Sequence, residues 1–134
     1  MFLSAVLPCL VLADGAGTPS EAQVKKKLMI LRQAAARRNE MQEKALEENL
    51  RRMHRWLERK MPNLEKMSKE QRAVVKRNYD AYKIAVEYFK LFKKLNRVRG
   101  TSEEVGLFKQ LKELDKEYEK LMGSKIPLTV SKSD

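Results

Sequence analysis

Residues 78–100, NYDAYKIAVEYFKLFKKLNRVRG, interleave aromatic and aliphatic side chains with lysine and arginine. Two arrangements share that composition: a basic aromatic surface, and a buried helix with one wet edge. Spacing separates them. Lys76, Asp80, Lys83, Glu87, Lys90, Lys94 and Arg97 step by four and three, so on a helix they form one narrow stripe. The apolar residues from Val74 to Val98 take most of the remaining circumference. A helix that is apolar nearly all round is buried between neighbours. Tyr79, Tyr82, Val86, Phe89 and Phe92 are therefore expected in a core. Rings that stack on bases would stand in the basic groove itself, and this spacing sets them apart from it.

Punctuation on either side of the stretch sets the helix count. Ser68-Lys69-Glu70-Gln71 is a capping box that opens this helix, and Gly100 offers a left-handed residue to close it, giving a helix over 68–99. Thr101-Ser102-Glu103-Glu104 repeats the capping pattern. Leu107, Leu111, Leu114, Tyr118 and Leu121 follow as a 4-3-4-3 seam up to Gly123, which predicts a helix over 102–122, about 30 Å long. Upstream, Thr18-Pro19-Ser20-Glu21 reads as a third start, with Thr18 as the cap, Pro19 in the first helical position and Glu21 closing the box. No breaker follows until Pro62, so one helix spans 19–61, a rod of about 60 Å.

That first helix repeats at eleven residues. Val24, Ala35, Leu46 and Leu57 form one row, Leu28, Asn39, Leu50 and Met61 a second, and Leu31, Gln42 and Met53 a third. The waist, at Ala35, Asn39 and Gln42, is weakly apolar. Leu46, Leu50, Met53 and Leu57 are expected to pack with the other two helices, alongside Leu107, Leu111, Leu114, Tyr118 and Leu121. A helix twice the length of its shortest neighbour leaves its other end over, and Val24, Leu28 and Leu31 are expected to bind a partner there. The fold class is all-α: a long N-terminal helix packed with two shorter antiparallel helices as a three-helix bundle. The organisation is an apolar leader over 1–17, one helical domain over 18–123 and a flexible tail over 124–134.

The net charge is +11, concentrated in residues 18–99, while 100–134 is close to neutral. Arg51, Arg52, Arg55 and Arg59, with Lys83, Lys90, Lys94 and Arg97, form the face expected to meet a polyanion or an acidic partner. The acidic third helix is expected to neutralise part of that charge. The partners these features admit are a protein or a second copy through the first helix, and an acidic protein, nucleic acid or anionic lipid on the basic face. No small-molecule substrate is expected.

Chemistry-bearing motifs are sparse. The single histidine, His54, lies among arginines with no nucleophile near it in sequence, and a zinc-metalloprotease, dinucleotide, P-loop or EF-hand pattern does not occur. Neither catalytic nor metal-binding residues are assigned, and no cofactor is expected. Cys9, the only cysteine, excludes a disulfide framework within the chain. The run Phe2–Ala13 has the length of a secretory h-region but lacks a preceding positive charge. If residues 1–13 are cleaved, the chain enters the secretory pathway; otherwise it is intracellular or part of an organellar assembly. The function expected is a non-enzymatic interaction or assembly component. The alternatives are a basic nucleic-acid-associated protein and a secreted helical effector.

Overall fold

Hydroxyl and carboxamide side chains fix where each helix begins. In a computed structural model, which describes residues 20–130, the elements are α1 (Glu21–Lys60), a 3-10 helix (Met61–Lys66), α2 (Lys69–Arg97) and α3 (Glu103–Met122). At α2 the expected box is present: Ser68 Oγ accepts the Gln71 N–H at 3.1 Å and Gln71 Oε1 accepts the Ser68 N–H at 3.0 Å. The α1 start differs from the reading centred on Thr18. Ser20 Oγ accepts the Gln23 N–H at 3.1 Å, and Gln23 Oε1 accepts the Ser20 N–H at 3.0 Å. Ser20 and Gln23 have the same three-residue separation as any capping box, so they make one two residues later. Thr18, Pro19, the leader and residues 131–134 lie outside the described residues.

The α3 start also departs from the expected box. Thr101 Oγ1 accepts the Glu103 N–H at 3.3 Å, while the Glu104 carboxylate accepts the N–H of Gly100 at 3.1 Å, one residue upstream of the expected donor. Gly100 sits at φ +85° inside the turn closed by the Thr101 N–H and the Val98 carbonyl, and that left-handed residue turns its own N–H toward Glu104. Gly123, at φ +77°, ends α3, and its N–H returns to the Glu119 carbonyl at 2.8 Å.

The described residues fall into two units, one up to Arg37 and the other from Arg38 onward. In the second unit α1 and α2 run antiparallel. Glu43 of α1 accepts the Asn96 side-chain N–H at 2.8 Å, and further along α1 the His54 ring lies 5.8 Å from that of Tyr82. Still further, Trp56 and Lys60 share a cleft with Gln71, Val74 and Val75. Val75, Tyr82 and Asn96 stand at multiples of seven residues from one another, which keeps them on the α1 side of α2. Helix α3 returns along α2, and the two backbones approach each other closely.

Leu46 and Leu50 of α1, Ala81, Ala85, Tyr88, Phe92 and Leu95 of α2, and Leu107, Leu111 and Tyr118 of α3 form one buried cluster. Met53, Tyr82, Val86, Phe89, Leu114 and Leu121 are half-buried against it, and Leu57 is buried beyond it toward the α1–α2 connection. The core expectation fails at Tyr79, which is 41% exposed. Tyr79 follows Lys76 by three residues and precedes Lys83 by four, so it belongs to the charged stripe itself, and Lys83 Nζ lies 4.8 Å from its ring centre. Tyr88 takes the buried place on the opposite face.

The segment after Gly123 is docked through residue 130, in contrast to the flexible tail expected there. Ile126 is 5% exposed and belongs to the core cluster, with Leu128 half-buried against it. Its N–H donates to Asp115 Oδ1 at 2.9 Å. The Asn49 carboxamide donates to the carbonyls of Pro127 at 3.3 Å and Thr129 at 2.9 Å. These contacts satisfy backbone groups that have no helix to belong to.

Candidate interaction surfaces

In the first unit, α1 carries the apolar residues of its seam on the outside. Val24, Leu28 and Leu31 are 41%, 44% and 64% exposed, and Ala35, the next member of the row, is half-buried. Met29 and Ile30 are also exposed, away from that row. From Ala22 to Asn39 the charged residues are Lys25, Lys26, Lys27, Arg32, Arg37 and Arg38, with no acid among them. The single ion pair recorded there is Lys25 with Glu21, at 3.9 Å and fully in solvent.

Four residues of the expected polyanion face, Arg51, Arg52, Arg55 and Arg59, lie on α1 within the second unit. Three of their guanidiniums converge on one carboxylate. Arg51 Nη1 donates to Glu48 at 3.1 Å, and Arg52 and Arg55 each stand 3.6 Å from it. Arg51 also reaches Glu47 at 3.6 Å. The hydrogen bond from Arg51, reinforced by the charges of Arg51, Arg55 and Arg52, holds the Glu48 carboxyl below the usual glutamate range. Arg59 is exposed and has no ion pair recorded among the described residues. An open basin of about 480 Å³ between α1 and α2 is lined by Glu47, Leu50, Arg51, His54, Arg55 and Tyr82. His54 Nδ1 faces Glu58 at 3.3 Å.

The α2 stripe divides along its length. At its start Asp80 is shared by Lys76 at 3.2 Å and Lys83 at 3.9 Å. Toward its end Lys90, Lys94 and Arg97 are exposed, without an ion pair among the described residues. The acidic α3 does not neutralise them: its recorded link to a basic residue outside its own helix is Glu104 with Arg99, at 4.0 Å. Glu113 pairs with Lys116 on its own surface, and Asp115 accepts from the Ile126 backbone.

Two features escaped sequence reasoning. Val105 and Phe108 are exposed apolar residues three apart on α3, off the Leu107–Leu121 seam, and the Arg99 guanidinium lies 5.7 Å from the Phe108 ring. Their displacement from the seam was a signal available in the sequence. The second is a small polar centre in the core, where Asp115 accepts from the Ile126 backbone beside Tyr88 and Tyr118. Burial, with Asp115 contributing, raises the hydroxyl pKa of both tyrosines.

Among the described residues no His, Cys, Asp and Glu group is arranged to hold a metal ion, and no helix is long and apolar enough to cross a membrane. Comparison with protein-family models, with curated proteins and with solved structures gave no match.

Proposed function

We propose that this protein is a non-enzymatic interaction or assembly component that engages another chain through the N-terminal part of α1. The observation that carries this reading is the exposed row Val24, Leu28 and Leu31 on a helix whose later rows, at Leu46, Leu50 and Leu57, are buried. A contiguous apolar patch left in water marks an interaction site, and an apolar row at i, i+4 and i+7 is the form in which a helix docks on a partner. Replacing Val24, Leu28 and Leu31 together by alanine tests it. The expected outcome is loss of the native partner in crosslinking with mass spectrometry, or a change of oligomeric state in sedimentation, with an unchanged unfolding midpoint. If the variant keeps both partner and oligomeric state, the reading is wrong.

A second reading, a basic protein associated with nucleic acid, is favoured by the unpaired Lys90, Lys94 and Arg97 at the end of the α2 stripe. The convergence of Arg51, Arg52 and Arg55 on Glu48 weighs against it, because a phosphate would have to compete with that carboxylate. Binding to RNA or duplex DNA that falls steeply with salt, and loses slope in Lys90→Ala with Lys94→Ala, supports it. Salt-insensitive binding removes it.

A further inference from the structure

The seam on the first part of α1 has a flank chemistry that selects its occupant. Val24, Leu28, Leu31 and Ala35 recur at intervals of four, three and four, three helical turns over about 17 Å. Arg38, three residues beyond Ala35, ends the apolar row. At 3.6 residues per turn, Lys27 falls on one side of the row and Lys25 and Arg32 on the other. These are the positions that face the flanks of a second helix laid along the seam, and in paired helices they set which partner is accepted. All three are cations. Lys27 and Arg32 have no ion pair among the described residues, and the contact from Lys25 to Glu21 is long and solvated.

Resting on the reading of α1 as a docking surface, we infer that its occupant is a helix with an apolar seam flanked by acidic side chains. A second copy of this chain does not fit. Parallel pairing of two copies would set Lys27 of one opposite Arg32 of the other. Antiparallel pairing would set each cationic flank against itself. Like charges at these positions repel, and no acid between Ala22 and Asn39 relieves them. A lipid surface fits poorly as well. An interfacial helix needs a broad apolar face with its cations opposite, whereas here the apolar row is narrow, Lys27 and Arg32 border it closely on either side, and only Lys26 and Arg37 fall on the opposite face. An acidic-flanked helix satisfies both features at once: its seam covers Val24, Leu28 and Leu31, and its carboxylates meet the cations on either side.

The test uses the full chain and two designed helical peptides with the same leucine and isoleucine seam, one with glutamate at every flanking position and one with lysine. The glutamate peptide is expected to bind at least about tenfold tighter, since three charge pairs change from favourable to repulsive. In K25E/K27E/R32E the preference should invert, with circular dichroism confirming that the helix content is retained. The chain alone should sediment as a monomer, and phosphatidylcholine vesicles containing phosphatidylserine should not displace the glutamate peptide. Equal binding of the two peptides, or binding of neither, overturns the inference. So does self-association, or capture by the vesicles, that is lost in L28D/L31D; either result would keep the seam as a docking surface and change only its occupant. If L28D/L31D alters neither peptide binding, vesicle binding nor oligomeric state, the docking reading itself falls.

Discussion

Glu48 shows how a basic surface can be discharged locally. Its carboxylate lies among Arg51, Arg52 and Arg55, and the hydrogen bond from Arg51 is the main cause of its lowered pKa. A pKa depressed in the folded state adds stability above the unfolded-state pKa, and that contribution is lost as pH falls through the folded-state value. An NMR titration should therefore place the Glu48 midpoint below the usual glutamate range, and Arg51→Ala should move it upward. Asn49, the next residue, acts at longer range by holding the carbonyls of Pro127 and Thr129. Asn49→Ala is expected to cost about 1 kcal/mol, because both bonds are solvent-exposed. Ile126→Ala should cost about 2–4 kcal/mol, the range for emptying a buried aliphatic site. Chemical denaturation measures both. Neither role was legible in the sequence: Asn49 reads as a polar helix residue, and a contact spanning almost eighty positions leaves no local pattern. The periodicity of α2 held enough information to place Tyr79 on the stripe, since its offsets from Lys76 and Lys83 are those of the stripe members.

The helices themselves were legible almost to the residue, because their ends are written in local chemistry. Ser68 with Gln71, and Gly123, act on neighbours within four positions, and sequence separation that short survives in any fold. By contrast, α2 ends at Arg97 with Val98 as its cap, and Gly100 shapes the turn after it instead of closing the helix. Ser68→Ala should cost about 1 kcal/mol, and a double change with Gln71→Ala should cost less than the sum of the singles, since the two bonds form one box. At α3 the same pattern misled slightly, because the left-handed Gly100 presents a better-placed donor to Glu104 than Thr101 does. In the middle of α2, Ala81 and Ala85 are almost wholly enclosed. Small residues there let neighbouring helices approach, so Ala85→Leu is expected to destabilise by about 1–3 kcal/mol through overpacking. Thermal unfolding checks this, and a stabilised variant would show that space remains beside Ala85.

At the scale of the whole molecule, burial is concentrated in one unit. Among the described residues the core runs from Ala45 to Ile126, and the residues of α1 before Ala35 contribute nothing to it. Hydrogen exchange on the full chain should show amides of residues 81–95 opening only with global unfolding, and amides of 21–34 opening at much lower cost. Protection of the two segments at the same level would contradict the division. The all-α class and the antiparallel order were readable from helix lengths and short connections. The docking of residues 124–130 was not, since the alternation of Ile126, Leu128 and Val130 is brief, is interrupted by Pro127, and names no face for the segment to pack on. The acidic helix as a neutraliser of the basic stripe also failed, because a shared bundle fixes which faces meet, and charge alone does not.

The concentration of lysine and arginine between Lys25 and Arg38 has a practical consequence. Each is a trypsin cleavage point on an exposed helix that needs only local opening to be cut, while the lysines and arginines beside the core are backed by packing. Limited digestion should trim the free protein there first. Anything that settles on Val24, Leu28 and Leu31 would slow that trimming, so the rate of nicking gauges occupancy without a label or a known ligand.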